Sequence, residues 1–275
     1  MNKKVLITGA SGFLAQVLLE KIHTDYSEII ITSRNSMELN RIEDKYSNVK
    51  SISGDLTNKD FVSEVVKDIN VIFHLAAYKY VSLSEKNIMD SVNGNILATN
   101  NIFEAISKSN HPTDIKIVST NKTHNIKGIY ASTKYISERL ARNYELEFDN
   151  INLSIIYLTN IFNSPGSISE IWKHAILNNQ KLTVTDEKCT RFFLTKEQAV
   201  NLLIEQNIDH NLIKAVNLGN LLKALILKYN ENYKLNLINR VGLKNTEHLH
   251  EYYNISDQWS NTSVQYEITE LMNII

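Results

Sequence analysis

Val5-Leu6-Ile7-Thr8-Gly9-Ala10-Ser11-Gly12-Phe13-Leu14-Ala15 is the stretch that decides how this chain is read. A short apolar, β-branched run leads into two glycines, and an amphipathic segment follows. The pattern predicts strand, tight turn and helix in immediate succession. Gly9 permits the turn, and Gly12 lets the backbone approach a pyrophosphate. Ala15 stands where a third small residue allows close helix–sheet packing. The helix N-terminus then offers its N–H groups to phosphates. An ordinary strand–helix turn would look the same in isolation. The strand before, the helix after and the place at the chain start together favour a dinucleotide site.

The same alternation continues outward. Val5–Thr8, Ile29–Thr32, Val49–Ser53, Val71–Leu75, Ile115–Ser119 and Leu153–Leu158 read as strands, several of them near-continuous apolar runs. Leu14–Ile22, Met37–Tyr46, Asp60–Lys67, Ile88–Ser107 and Tyr130–Leu146 read as helices. The expected fold is α/β: a Rossmann-like, doubly wound parallel sheet with right-handed crossovers. After about Asn160 the alternation loosens. Helices are expected near Ile168–Asn178, Lys196–Gln206 and Leu221–Tyr229, with strands at Leu182–Thr185, Ala215–Leu218 and Lys234–Ile238. This predicts a dinucleotide-binding domain over 1–160 and a smaller C-terminal substrate-binding lobe over 161–275, its segments interleaved with the sheet.

Composition narrows the class. The chain has 275 residues, 43% hydrophobic and 21% charged, enough for an ordinary core. Its net charge of -1 argues against a general nucleic-acid binder. The single Cys189 excludes a disulfide framework and a multi-cysteine metal site. His248 and His250 do not share a helix face, so no metal is assigned. No apolar run approaches the ~18 residues of a membrane span. The apolar run after Met1-Asn2-Lys3-Lys4 is too short for a signal peptide. The expectation is a cytoplasmic protein without membrane or nucleic-acid partners.

The rest of the cofactor site follows from the strand ends. An NAD site places an acid about 20 residues past the glycines. Ser33 and Arg34 stand there instead, and an Arg fork suits the 2′-phosphate of NADP. A solvated surface Arg is the plainer reading. Asp55 ends the third strand and can accept from an adenine amino group. His74 reads as a satisfied strand-end histidine, and Ala76 and Ala77 let a cofactor lie close. Ser11, Phe13, Leu56 and Lys79 complete the expected cofactor contacts. Tyr130 and Lys134 share one face of a predicted helix. A neighbouring ammonium and an oxidised nicotinamide lower a phenol pKa, which lets Tyr130 take a hydroxyl proton during hydride transfer. Tyr-x-x-x-Lys alone is weak; at the fifth strand-to-helix junction of a dinucleotide fold it is strong.

With these residues in view, the chain resembles the extended short-chain dehydrogenase/reductases. More closely, it resembles the polysaccharide-biosynthesis subfamily, the inverting, 5-epimerising UDP-N-acetylglucosamine 4,6-dehydratases. His74-Leu-Ala-Ala-Tyr-Lys79-Tyr-Val81 with Glu85 is similar to the family's His-x-Ala-Ala-x-Lys-x-Val and following Glu. Ser91-Val-Asn-Gly-Asn95 resembles the helix of the structural Asn. Ser119-Thr120-Asn121-Lys122 is similar to Ser-Thr-Asp-Lys, and Tyr130-Ala-Ser-Thr-Lys134 follows at the family spacing. Val184-Thr185-Asp186 with Thr190-Arg191-Phe192 resembles the segment that grips the nucleotide. Val241 to Glu251, including Lys244, Glu247, His248 and His250, looks like the family's late Gly-Glu-Lys-Leu-His-Glu segment.

The resemblance implies catalysis by Tyr130, Lys134, Lys122, Asn121 and Thr120, with Lys79, Lys122, Asn160, Arg191, Lys244 and Glu247 at the substrate. It also implies a bound NADP, a nucleotide-sugar substrate and a homo-oligomer. In the implied reaction Tyr130 deprotonates the sugar 4-hydroxyl as hydride leaves carbon 4. Lys122 removes the carbon 5 proton, water leaves carbon 6, and hydride returns there. Asn121 stands where the family has the Asp that protonates the leaving hydroxyl, and an amide cannot act as a general acid. The family's Arg-Tyr-Gly-Asn is Tyr157-Leu-Thr-Asn160 here, and its Ser-Arg-Gly-Ser is Ser164-Pro165-Gly166-Ser167. An Arg fork is missing at each, and the family's late Arg and Lys are Lys244 and His248 here, which implies weaker or altered phosphate and sugar recognition. The chain also ends sooner after Glu251 than the family leads one to expect, which implies a reduced C-terminal cover. Two other readings stay open: a nucleotide-sugar 4-epimerase or 4-keto reductase, favoured by Asn121, and a catalytically silent dinucleotide sensor.

Overall fold

The computed structural model describes residues 3–109, 111–205 and 213–275. The chain divides into two compact units, one up to Ile156 and one over Tyr157–Ile275. In the first, strand and helix alternate: β1 (Lys4–Thr8), α1 (Phe13–Ile22), β2 (Glu28–Ser33), α2 (Ser36–Glu43), β3 (Val49–Ser53), α3 (Lys59–Val65) and β4 (Val71–His74). Then come two single turns, α4 (Val81–Ser84) and α5 (Ile88–Ser91), a π-helical stretch Val92–Leu97 and α6 (Ala98–Ser107). β5 (Thr113–Thr120), a 3₁₀ turn Asn121–Thr123, α7 (Gly128–Glu147) and β6 (Ile151–Leu158) follow. The strands form one sheet in the order β3-β2-β1-β4-β5-β6. β1 pairs in parallel with both β2 and β4, Leu6 facing Ile30 on one side and Ile72 on the other. The strand order reverses between β1 and β4, the place where open α/β sheets bind ligands.

The sequence accounts for this order. β4 is buried throughout, and β1 nearly so, which is why both are apolar without alternation. Helices supply their inner stripes: Leu18, Leu19 and Ile22 from α1, and Ile102, Phe103 and Ile106 from α6. Asn35 and Asn58 cap α2 and α3 by accepting from Glu38 N and from Asp60 N and Phe61 N. The expected single helix over Ile88–Ser107 is corrected: its middle, Val92–Leu97, is a π-helix. The wider turn accompanies the clamp made by Asn95. Its Oδ1 accepts from Tyr78 N at 2.7 Å, and its Nδ2 donates to Tyr78 O at 3.2 Å and Thr133 Oγ1 at 3.0 Å. Such bulges recur at functional sites.

The second unit contains β7 (Asn160–Ile161), α8 (Ile168–Leu177), β8 (Leu182–Val184), β9 (Thr190–Leu194), α9 (Lys196–Glu205), β10 (Ala215–Asn217), α10 (Leu218–Tyr229) and β11 (Ile238–Arg240). A hairpin of β12 (Tyr252–Tyr253) and β13 (Gln258–Trp259) and a final helix α11 (Ile268–Ile274) complete it. Its core gathers Phe162, Trp172, Phe193, Leu221, Leu225 and Leu271. The strand expected over Lys234–Ile238 is corrected: Leu235–Leu237 is a 3₁₀ turn closed by Leu237 N on Lys234 O, and pairing with β8 starts only at Ile238. The sequence reading places no strand over Thr190–Leu194, yet β9 pairs with both β10 and β7. Of the helix expected over Lys196–Gln206, Gln206 lies outside the described residues, as do Met1 and Asn2. Among the described residues no helix is long and apolar enough to cross a membrane.

Candidate active site

The turn after β1 is built as its glycines require. Gly9 has φ 67°, and a Cβ there would lie 2.7 Å from Ala76 N and 2.8 Å from Ala76 Cα. Only glycine fits both demands. Gly12 N closes the turn on Gly9 O at 2.8 Å, and Ala10 N ties it to Thr32 O of β2 at 3.1 Å. Gly12 is the N-cap of α1, where no side chain caps the helix and no acid stands in the first turn. The amides of that turn are thus left to an anion, and the dipole favours one there. Ala15 is buried and Ser11 and Phe13 are half-buried around the turn. Thr8 Oγ1 accepts from Ala76 N at 3.2 Å, which brings the ends of β1 and β4 together.

The neighbouring strand ends hold the other expected cofactor contacts. Arg34 is exposed beyond β2, and Ser33 O accepts from Gly54 N at 3.1 Å, so the ends of β2 and β3 adjoin. No carboxylate stands at that β2 end. Asp55 is exposed, with Oδ1 accepting from Thr57 N and Thr57 Oγ1, both at 2.9 Å. Leu56 is buried, its carbonyl held by Asn101. Ala77 is exposed, and so is Lys79, whose Nζ lies 5.4 Å from the Tyr80 ring centroid.

His74 is a satisfied core histidine, as read. Its Nδ1 lies 2.8 Å from Thr8 Oγ1 and its Nε2 3.0 Å from Thr99 Oγ1, which donates to Asn95 O at 2.6 Å. Burial, with the nearby Lys134 charge, pushes the imidazole down to about 3, so it is neutral at physiological pH. Hydrogen bonds therefore run from Thr8 at the end of β1 through His74, Thr99 and Asn95 to Thr133 on α7.

α7 presents Tyr130 and Lys134. Gly128, at φ 78°, turns the chain into the helix, and the Glu85 carboxylate accepts from Ile129 N at 2.6 Å. Tyr130 is hydrogen-bonded to the Thr120 side chain at the end of β5. Burial pushes its phenol up to about 12, and the Thr120 hydrogen bond draws it partly back. Lys134 is buried; burial pushes its ammonium down to about 8, and the nearby Glu138 opposes that fall. Thr120 also caps the 3₁₀ turn, accepting from Lys122 N at 3.4 Å. Asn121 is buried and accepts from Thr120 Oγ1 at 3.3 Å, whereas Lys122 is half-buried. Tyr130, Thr120, Asn121 and Lys122 thus gather at one strand-to-helix junction, with Lys134 a turn behind.

The expected substrate residues of the second unit fall into two groups. Asn160 Nδ2 donates to Phe192 O at 2.9 Å and to Glu251 Oε2 at 3.3 Å. Arg191 Nε lies 3.5 Å from Glu251 Oε1, and its Nη1 donates to Thr190 O and Leu249 O at 2.8 and 3.0 Å. Asn160 and Arg191 therefore meet at the buried Glu251. Lys244 is exposed and Glu247 half-buried in a separate turn, where Glu247 N donates to Lys244 O. His250 Nδ1 lies 2.8 Å from Thr190 Oγ1, which also contacts Ser260. Sequence reading missed Glu251 as the partner of Arg191, Glu85 as the support of α7, and Ser119 and Glu138. Only Glu138 carried a local signal, its place one turn beyond Lys134.

A Gly-turn at the sheet's switch point with a Tyr–Lys pair on the helix after the fifth strand defines an extended short-chain dehydrogenase/reductase. Within that class the chain belongs to the polysaccharide biosynthesis protein family, whose profile matches residues 5–272. It is 26% identical to a Campylobacter jejuni UDP-N-acetylglucosamine 4,6-dehydratase (inverting), over 97% of this chain and 81% of that protein. It is 28% identical to a Rickettsia canadensis UDP-glucose 4-epimerase, over 74% and 62%. The X-ray structure of Pen from Bacillus thuringiensis has the same fold, with TM-score 0.88 and 24% identity over 100% of this chain and 97% of that one. The chain spans only 62% and 36% of the length of two further curated relatives.

Proposed function

We propose that the chain is an NADP-dependent nucleotide-sugar 4,6-dehydratase acting on UDP-N-acetylglucosamine. The observation that carries the reading is the Tyr130 phenol held by Thr120, with buried Lys134 one helical turn behind it. Gly9, Gly12 and the uncapped start of α1 would hold the pyrophosphate, and Ser33 and Arg34 the 2′-phosphate. The nicotinamide, when bound, accepts and returns hydride. Tyr130 takes the proton of the sugar 4-hydroxyl, aided by the Lys134 charge. Lys122 takes the carbon 5 proton that the resulting ketone acidifies, and carbon 5 is reprotonated once carbon 6 has received the hydride. The hydroxyl leaving carbon 6 draws its proton from water or a group other than Asn121, because a neutral amide is too weak an acid to give one. Arg191, braced by Glu251, supplies charge to the nucleotide's phosphates.

A second reading keeps the fold and cofactor and drops the elimination, giving a 4-epimerase or 4-keto reductase. The buried amide of Asn121 favours it, and both dehydratase and epimerase occur among the relatives' names. Mass spectrometry after incubation with UDP-N-acetylglucosamine separates the two. The dehydratase reading expects a product lighter by one water, its formation stopped by Lys122→Ala and accelerated by Asn121→Asp, by up to about 10²–10⁴. A product of unchanged mass, epimeric at carbon 4, overturns it.

A further inference from the structure

Glu138 has no place in the chemistry described so far, yet it lies deep beside it. It is 5% exposed, and Lys134, one turn earlier on α7, is 8% exposed. Residues at this spacing share a helix face. Ser119, the residue before Thr120 on β5, donates its hydroxyl to Glu138 Oε1. The end of β5 therefore holds two α7 side chains through consecutive residues: Glu138 through Ser119 and Tyr130 through Thr120. A carboxylate this deep is costly without charged or hydrogen-bonding partners.

We propose that Glu138, fixed by Ser119, is a positioning residue that keeps Lys134 charged so that Tyr130 can act as the base. The inference rests on the Tyr130–Lys134 reading above. The surroundings of Lys134 favour loss of its proton. His74, which faces it from β4, is neutral and offers no counter-charge. Tyr130 faces the site as a neutral phenol until it reacts. Burial pushes Lys134 down to about 8 even with Glu138 opposing the shift. Glu138 also acts on His124, just after the 3₁₀ turn, and raises its imidazole against the fall that burial causes. Without the carboxylate, Lys134 would lose its proton nearer neutral pH, and the Tyr130 phenolate would lose the charge one helical turn behind it.

The test is the titration of Lys134 in full-length protein carrying ¹³C at lysine Cε, followed by NMR. The signal is assigned by its loss in Lys134→Met. Glu138→Gln keeps the shape and an acceptor for Ser119 but removes the charge. Its Lys134 midpoint should fall by about one pH unit or more, a tenfold loss of proton affinity. The alkaline limb of the kcat profile should fall with it, while KM at neutral pH stays unchanged. Glu138→Asp keeps the charge one methylene further away, and should give a smaller shift in the same direction. It carries the test if the Gln variant does not fold. An unmoved midpoint in the folded variants overturns the proposal, as does a moved midpoint with an unmoved kcat profile. If wild type turned over no nucleotide sugar, the functional reading would fall, while the NMR midpoint would still decide whether Glu138 holds the Lys134 charge.

Discussion

The hydrogen-bonded path from β1 to α7 in the first unit and the Arg191 site of the second are held by different physics. In the first, Thr8, His74, Thr99, Asn95 and Thr133 form a chain of neutral hydrogen bonds between buried groups. In the second, an ion pair between half-buried Arg191 and buried Glu251 is braced by Asn160 and by two backbone carbonyls that accept from the guanidinium. A neutral network tolerates burial and fixes geometry tightly. A buried ion pair is costly to desolvate and more costly to break from one side. The first arrangement suits a scaffold that places a base against a cofactor. The second suits a cation kept in place for an anionic ligand.

The largest expected effect is chemical and falls on the first unit. Tyr130→Phe removes one hydroxyl and should lower turnover by about 10²–10⁴. Stability should change by no more than about 0.5–1.5 kcal/mol, the worth of the Thr120 hydrogen bond. Steady-state kinetics beside urea unfolding checks both halves. Turnover near the wild-type level would remove Tyr130 from the role of base.

In the second unit the balance should reverse, with stability hit first. Arg191→Ala leaves Glu251 buried without its cation and should cost about 3–5 kcal/mol. Replacing both partners, as Arg191→Met with Glu251→Leu, should recover much of that stability while nucleotide binding stays weak. Unfolding midpoints of the single and double variants measure this. Equal stability of wild type and Arg191→Ala would show that the pair is not a buried unit, and the contrast between the two regions would fail.

Cofactor choice is a smaller effect, confined to an exposed residue. Arg34→Ala should weaken NADP binding by about 1.5–3 kcal/mol, the worth of a charged hydrogen bond, and leave NAD binding nearly unchanged. Titration of both cofactors decides it, and equal wild-type affinity for the two contradicts the NADP assignment.

His74 also imparts a pH dependence to stability, the smallest of these effects over any single pH unit. Its folded pKa of about 3 lies below the ordinary value of 6.5. The unfolded chain therefore binds the proton more readily as pH falls from about 6.5 toward 3. The stability is fully present above that window and lost within it, at up to about 1.4 kcal/mol per pH unit. Between pH 7 and pH 5 the loss should reach about 2 kcal/mol. His74→Asn should flatten that part of the pH profile, and an unchanged slope would show that His74 does not titrate on unfolding.

The same contrast explains what could be read in the sequence. Apolar runs and glycine placement depend on near neighbours, so the six strands of the sheet and the turn at Gly9–Gly12 were legible. Tyr130 and Lys134 were legible because four-residue spacing on a helix is local. The π-helical interruption at Val92–Leu97 was not, because Asn95 binds Tyr78 and Thr133, which lie far from it in the chain. β9 was hidden for a related reason: its partners are β7 and β10, well removed along the sequence. Arg191 was picked out by its motif, but its partner was not, since Glu251 lies sixty residues further on. Asn160 looked like a substrate contact, and the structure ties it to Phe192 and Glu251.

The central claim is that Tyr130 and Lys134 drive oxidation at carbon 4 of a nucleotide sugar, and that the hydride removed there ends at carbon 6. The most direct measurement follows deuterium from carbon 4 of UDP-N-acetylglucosamine through one round of reaction, by mass spectrometry and NMR. The account predicts a product lighter by one water with the label at carbon 6. A label found at carbon 4 of a product of unchanged mass would contradict it.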